Sequence, residues 1–240
     1  MPKANEGGYV AWAENLHRVM YNSKMILLAE CRNDFIFFDT DQTAFVSTVL
    51  GKHASQLDSE AEKLVDELIG LEILTLAQVP DFSKKFSDIK TSIGTARCAW
   101  QGGRDGWVLS SIRLHTLLKA MKYLKHAKCE SQVGHLQGLL DHLRKSVPTV
   151  PLTNQARLIS LGSNINLAIK LLNTEVKCLE FAYCLASMAF EENLSCSFCI
   201  GVQSYPFISH AWVRGPEGVV LDSDELEKDL ALMVVIGATS

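Results

Sequence analysis

Three residues near the C-terminal end of the chain have the types and the order needed for thiol chemistry. Cys178 lies in the first turn of a segment, residues 175–191, in which Cys178, Phe181, Ala182, Leu185, Met188 and Ala189 fall on one helical face. A thiol in the first turn of a helix is favoured as thiolate, because unpaired N–H groups and the positive end of the helix dipole face it. The same N–H groups can receive the oxyanion of a tetrahedral intermediate. Such a nucleophile needs an imidazole, and His210 is the only histidine after Cys178. A third group must fix the ring tautomer, and Asp222 and Asp224 both follow the turn Gly215-Pro216-Glu217-Gly218. In a two-stranded ribbon, a three-residue loop at 215–217 sets Asp222 opposite His210, and one at 216–218 sets Asp224 there. Taken singly, each residue has a plainer reading: a helix-face cysteine usually packs, a histidine beside Trp212 is usually structural, and an aspartate after a turn usually caps.

The elements that must hold these groups follow from periodicity. Helical spacing is predicted over about 108–126, 132–144, 154–172 and 175–191, with Asn173-Thr174 offering caps to the last. A period of two then predicts strands over 195–202, 209–214 and 219–222, and the run Leu230–Ile236 is read as a closing strand or helix. Helices followed by antiparallel strands make an α+β domain, assigned to residues 107–240. Cys196 and Cys199 have the spacing of a redox pair but sit in a strand pattern, so redox chemistry is not expected there, and no second Cys/His pair has closed zinc-site spacing.

The N-terminal part reads differently. Residues 1–23 are taken as an arm with a short helix through Trp12, Leu16, Val19 and Met20. Residues 24–80 are taken as a β-β-β-helix unit, winged-helix-like, with a hairpin at 25–39, a third strand at 43–47 and a helix from about Ser59 to Leu71. A polar stretch, 81–106, is taken as the linker. Three strands beside a helix suit either a plain capping subdomain or a platform for a peptide added as an extra strand.

Composition narrows the field. The chain has 240 residues with 48% hydrophobic and 21% charged, the balance of a globular protein. Its net charge of −4 lacks the basic footprint of a nucleic-acid binder. No apolar run reaches the ~18 residues of a bilayer span, and the first residues do not read as a signal peptide. Seven scattered cysteines suit free thiols in a reducing, cytoplasmic setting.

The block Ile200-Gly201-Val202, three residues, Pro206-Phe207, two residues, His210-Ala211-Trp212-Val213, with Lys177-Cys178-Leu179-Glu180 before it and Val219-Val220-Leu221-Asp222 after it, resembles the transglutaminase-like B proteins of lasso-peptide biosynthesis. These are papain/transglutaminase-like cysteine peptidases. The intervals of 32 residues from thiol to imidazole (178 to 210) and 12 more to the carboxylate (210 to 222) suit that pattern and favour Asp222 over Asp224. The resemblance implies a catalytic Cys178, a base at His210 and an orienting acid at Asp222. It implies a precursor peptide as substrate, cut to free its core from its leader, and an asparagine-synthetase-like cyclase as partner. Any ATP requirement would act through that cyclase, because the sequence has no Gly-rich phosphate loop; no directly bound cofactor and no metal are expected. The N-terminal unit is similar in pattern to the leader-recognition element of fused B proteins. On that pattern the leader would add beside Thr43, Phe45 and Ser47 and rest on Leu64 and Leu68. A peptide-binding module with an idle triad, or an amide-forming acyltransferase, are the alternatives.

Overall fold

A computed structural model of the chain describes residues 8–80, 86–91 and 112–237. The chain divides into two compact units, one built on residues 1–30 and 34–91, the other on 92–240 with 31–33.

In the first unit the chain runs β1 (Tyr9–Trp12), β2 (Leu16–Tyr21), β3 (Lys24–Ala29), β4 (Asp34–Phe38), α1 (Thr40–Val49), α2 (Ser59–Gly70), β5 (Leu74–Ala77) and β6 (Asp88–Lys90). Strands lie in the order β4-β3-β2-β6, with β6 parallel to β2 and the other pairs antiparallel, while β1 and β5 form a separate ribbon. Asn22 and Ser23, both left-handed, close the β2–β3 hairpin as a two-residue turn that matches strand twist. Val10, Met25, Leu27, Phe38, Val46 and Val65 are buried together as its core.

Several N-terminal expectations are overturned. Residues 9–12 and 16–21 are strands, not part of an arm. The helix-like spacing of Trp12, Leu16, Val19 and Met20 spans a turn at Asn15, whose φ is 59°. The strand expected at 43–47 lies inside α1. Its β-branched residues suggested an extended chain, but Asp39 starts a helix: its carboxylate accepts from the Gln42 N–H at 2.8 Å, and its own N–H donates to Gln42 Oε1 at 3.0 Å. The Thr43 and Ser47 hydroxyls then donate to carbonyls one turn back, at 2.6 and 2.8 Å. Asp58, not Ser59, caps α2, accepting from the Glu60 and Ala61 N–H groups. Within the expected linker, residues 88–90 form β6, and residues 81–85 and 92–106 lie outside the described residues.

The second unit is α+β, with helices α3 (Leu114–Gln132), α4 (Leu136–Ser146), α5 (Gln155–Leu172) and α6 (Cys178–Glu191) ahead of β7 (Ser197–Ser204), β8 (Phe207–Gly215), β9 (Gly218–Val219), α7 (Leu226–Asp229) and β10 (Ala231–Gly237). The antiparallel sheet has the order β10-β7-β8-β9. From Glu180 to Phe190 every residue of α6 is buried, as expected of a helix apolar on all sides. In α4 the stripe Leu136, Leu139, Leu140 and Leu143 faces inward. Arg157 at the start of α5 donates in a fork to both carboxylate oxygens of Glu192, each at 2.7 Å, tying α5 to the end of α6. The predicted helix starting near 108 begins at Leu114 among the described residues, and the run 230–236 is the strand β10. No helix among the described residues is long and apolar enough to cross a membrane.

Candidate active site

The position of Cys178 is set by how two helices meet. Asn173, expected to cap α6, instead ends α5 in the left-handed conformation (φ 46°), so the chain turns through 174–177 and Cys178 becomes the first residue of α6. Glu180, only 3% exposed, accepts from the Lys177 N–H at 2.9 Å and from the Ser131 hydroxyl at 2.6 Å, which fixes the helix start against α3. Its charge also suits the first turn.

His210 sits on β8 opposite Gly201 of β7. Its ring is nearly parallel to the indole of Trp212, two residues on along the same face (16° between planes). Gly201 is required here: a Cβ at that position would lie 2.7 Å from the Trp212 ring and 2.9 Å from Leu230 Cβ. His210 is buried and its Nε2 donates to Asp222 Oδ2 at 2.6 Å. Nδ1 is then the ring nitrogen left for sulfur, and the Cys178 and His210 side chains lie close enough to shift each other's protonation.

Electrostatics favour an ion pair. Burial pushes the Cys178 thiol up, but the hydrogen bond and positive field of His210, with the N–H groups of Ala211 and Leu179, outweigh it and hold the thiol below its ordinary value. Burial likewise pushes His210 down, yet its bonds to Asp222 and Cys178 raise it to about 9. A lowered thiol beside a raised imidazole favours thiolate and imidazolium over the neutral pair. Elsewhere burial drives the thiols of Cys184, Cys196 and Cys199 up, the last two to about 12, consistent with packing instead of redox chemistry.

Asp222 meets His210 by a route that neither register expected from sequence provides. The β8–β9 loop is the two-residue Pro216-Glu217, with Gly215 opposite Gly218 and Arg214 opposite Val219. Continued, that ladder would set Ser223 opposite His210. It stops after Val219, and Leu221, left-handed at φ 56°, swings Asp222 across to the imidazole. The Asp222 Oδ1 accepts from the Ser223 N–H at 2.8 Å. Asp224 is used otherwise, accepting from the Val219 N–H at 3.1 Å. The Leu221 side chain rests over Gly162 of α5, where any Cβ would come within 2.3 Å of Leu221 Cδ1. No pattern in the sequence singles out Gly162 or Leu221; the failure of both simple registers is the signal.

The residues expected to hold a leader are not gathered into a strand site. Thr43, Phe45 and Ser47 lie on α1, with Thr43 buried and Phe45 packed on the core of the first unit. On α2, Leu68 is half-buried against that core and Leu64 is 41% exposed. Among the described residues no cluster of three or more His, Cys, Asp or Glu could hold a metal ion.

Residues 124–235 match the model of the transglutaminase-like superfamily. That span contains Cys178, His210 and Asp222, on a scaffold of the cysteine peptidase and acyltransferase type. No curated protein and no solved structure matches the chain.

Proposed function

We propose that this protein is a cysteine endopeptidase that removes the leader from a lasso-peptide precursor, so that a partner cyclase can close the macrolactam. The observation that carries the catalytic reading is the thiol of Cys178, at the first position of a buried helix and within the electrostatic influence of an imidazole that Asp222 orients. The choice of substrate rests on the residue pattern around Gly201, Pro206 and His210.

The thiolate attacks the scissile carbonyl carbon, and the electron pair moves to oxygen, where N–H groups at the start of α6 are available to it. As the C–N bond breaks, the imidazolium gives its Nδ1 proton to the leaving amine. Neutral His210 then takes a proton from water, whose oxygen attacks the thioester. Collapse releases the carboxylate and restores the thiolate and imidazolium. Asp222 keeps its hydrogen bond to Nε2 throughout and holds the ring in the tautomer that presents Nδ1 to sulfur. The first unit is assigned the recognition of the leader. ATP, where it is needed, acts on the cyclase.

Incubation of the protein and cyclase with precursor should release leader with a new carboxyl terminus, and Cys178→Ala should abolish release while leader binding persists. Cleavage that survives the substitution refutes the peptidase assignment. A product in which the acyl group is joined to an amine identifies acyl transfer on the same three residues instead.

A further inference from the structure

Two adjoining cavities open beside the loop that leads into Cys178. One, of about 500 Å³, has Met121, Leu172 and Val176 in its apolar lining and Lys122, Lys125 and Lys128 around it, and no acidic residue lines it. The other, of about 610 Å³, continues past Lys128, Thr174 and Val176 to Lys177 and Glu180. The three lysines recur every third residue of α3, which brings them along one side of the helix.

No carboxylate lines the first cavity, which all three lysines line, whereas Glu175 and Glu180 line the second. The Lys128 ammonium donates to the Thr174 hydroxyl and to the Glu175 carbonyl, both neutral acceptors. Glu191, whose field reaches Lys122, is taken up by the Lys119 ammonium and the Tyr123 hydroxyl. In the second cavity the Glu180 carboxylate is occupied by Ser131 and the Lys177 N–H. A positive rim over an aliphatic floor stands out on a chain whose net charge is −4.

The link to the thiol is through the chain: neither Cys178 nor His210 is among the lining residues. Val176 lines both, and its Cα can be no more than about 7.6 Å from that of Cys178, two residues on. An extended peptide advances ~3.3 Å per residue, so three or four residues bridge from the sulfur into the cavities.

We propose that these cavities form the groove for the peptide segment flanking the scissile bond, and that the groove selects a segment alternating acidic and aliphatic side chains. This rests on the peptidase reading above. Carboxylates meet Lys122, Lys125 and Lys128 while the aliphatic side chains cover Met121, Leu172 and Val176. Exposed pairs of this kind contribute roughly 2- to 5-fold each in affinity, so three together give about 10-fold or more between opposite charges.

The test uses two fluorescent peptides, acetyl-Asp-Leu-Asp-Leu-Asp amide and acetyl-Lys-Leu-Lys-Leu-Lys amide, titrated against the full chain by anisotropy. The acidic peptide should bind about 10-fold more tightly, and the advantage should shrink with salt. The double variant Lys122→Glu/Lys125→Glu should reverse the preference. Unlabelled acidic peptide should also slow iodoacetamide alkylation of Cys178 in the native protein. Equal binding of the two peptides, a preference untouched by the charge reversal, or tight binding that leaves alkylation of Cys178 unchanged overturns the proposal. Binding is read without turnover, so failure of precursor cleavage would count against the peptidase reading and not against the groove.

Discussion

Gly162→Ala tests the idea that the orienting acid is aimed by packing behind it. The new methyl would sit 2.3 Å from Leu221 Cδ1, about 1.2 Å short of the ~3.5 Å at which carbon atoms rest. The atom met first is the terminal methyl of Leu221, whose Cγ is already at 3.5 Å with Phe181 at 3.8 Å from the added carbon, so the side chain turns aside first and the left-handed backbone moves only by what that turn leaves. Whatever displacement reaches the Leu221 backbone passes to Asp222, the next residue. Overpacking should cost about 1–3 kcal/mol of stability, whereas moving a catalytic constellation by ~1 Å costs about 100-fold in rate. We expect precursor cleavage by Gly162→Ala to fall by about two orders of magnitude, and the pH profile of Cys178 alkylation by iodoacetamide to move, in protein that remains folded at assay temperature. Gly162→Ala/Leu221→Ala, which removes the carbon that clashes, should recover most of both. If the single variant cleaves normally, or if the double variant is no better than the single one, the proposed link from Gly162 through Leu221 to Asp222 is wrong.

Further outcomes follow from the same geometry. The rate of precursor cleavage should be bell-shaped in pH, rising as the depressed Cys178 thiol ionises and falling as the imidazolium loses its proton near pH 9. Asp222→Asn removes a charge that raises His210, so the alkaline limb should move to lower pH, and a limb that stays in place contradicts the assignment. The same shifts link to stability: the His210 contribution is full below ~6.5 and lost as pH rises through about 9, whereas that of Cys178 is lost as pH falls through its lowered value. Gly201→Ala, which drives a methyl against Trp212 and Leu230, should lower stability by about 1–3 kcal/mol in chemical denaturation. An unchanged midpoint would mean that the indole has room to move.

What could be read from the sequence divides along physical lines. The apolar α6 and the hairpin β7–β8 have strong local periodicity, so Cys178 at a helix start and His210 on a strand were legible, the helix start being three residues late because Asn173 closes α5. Asp222 was reached by interval and resemblance; the parity argument assumed a continuous strand, and Leu221 breaks it. The first unit was harder. The segment 43–47 has the β-branched residues of a strand, yet the Asp39–Gln42 cap and hydroxyl bonds within the helix decide for α1. The strand β1 is short, the apolar residues of β1 and β2 mimic helical spacing across the turn at Asn15, and β6 pairs in parallel with a strand far away in sequence, a contact that no local pattern signals.

The central claim is that the Cys178 sulfur is ionised in the resting protein because His210 shares its proton. Its most direct test is the rate of iodoacetamide alkylation at each cysteine against pH, read by mass spectrometry, in the native chain and in His210→Ala. The account predicts that Cys178 titrates below the ~8.5 of a free cysteine and returns toward it when the imidazole is removed. A Cys178 that titrates like an ordinary thiol in the native protein, or whose profile is indifferent to loss of His210, contradicts it.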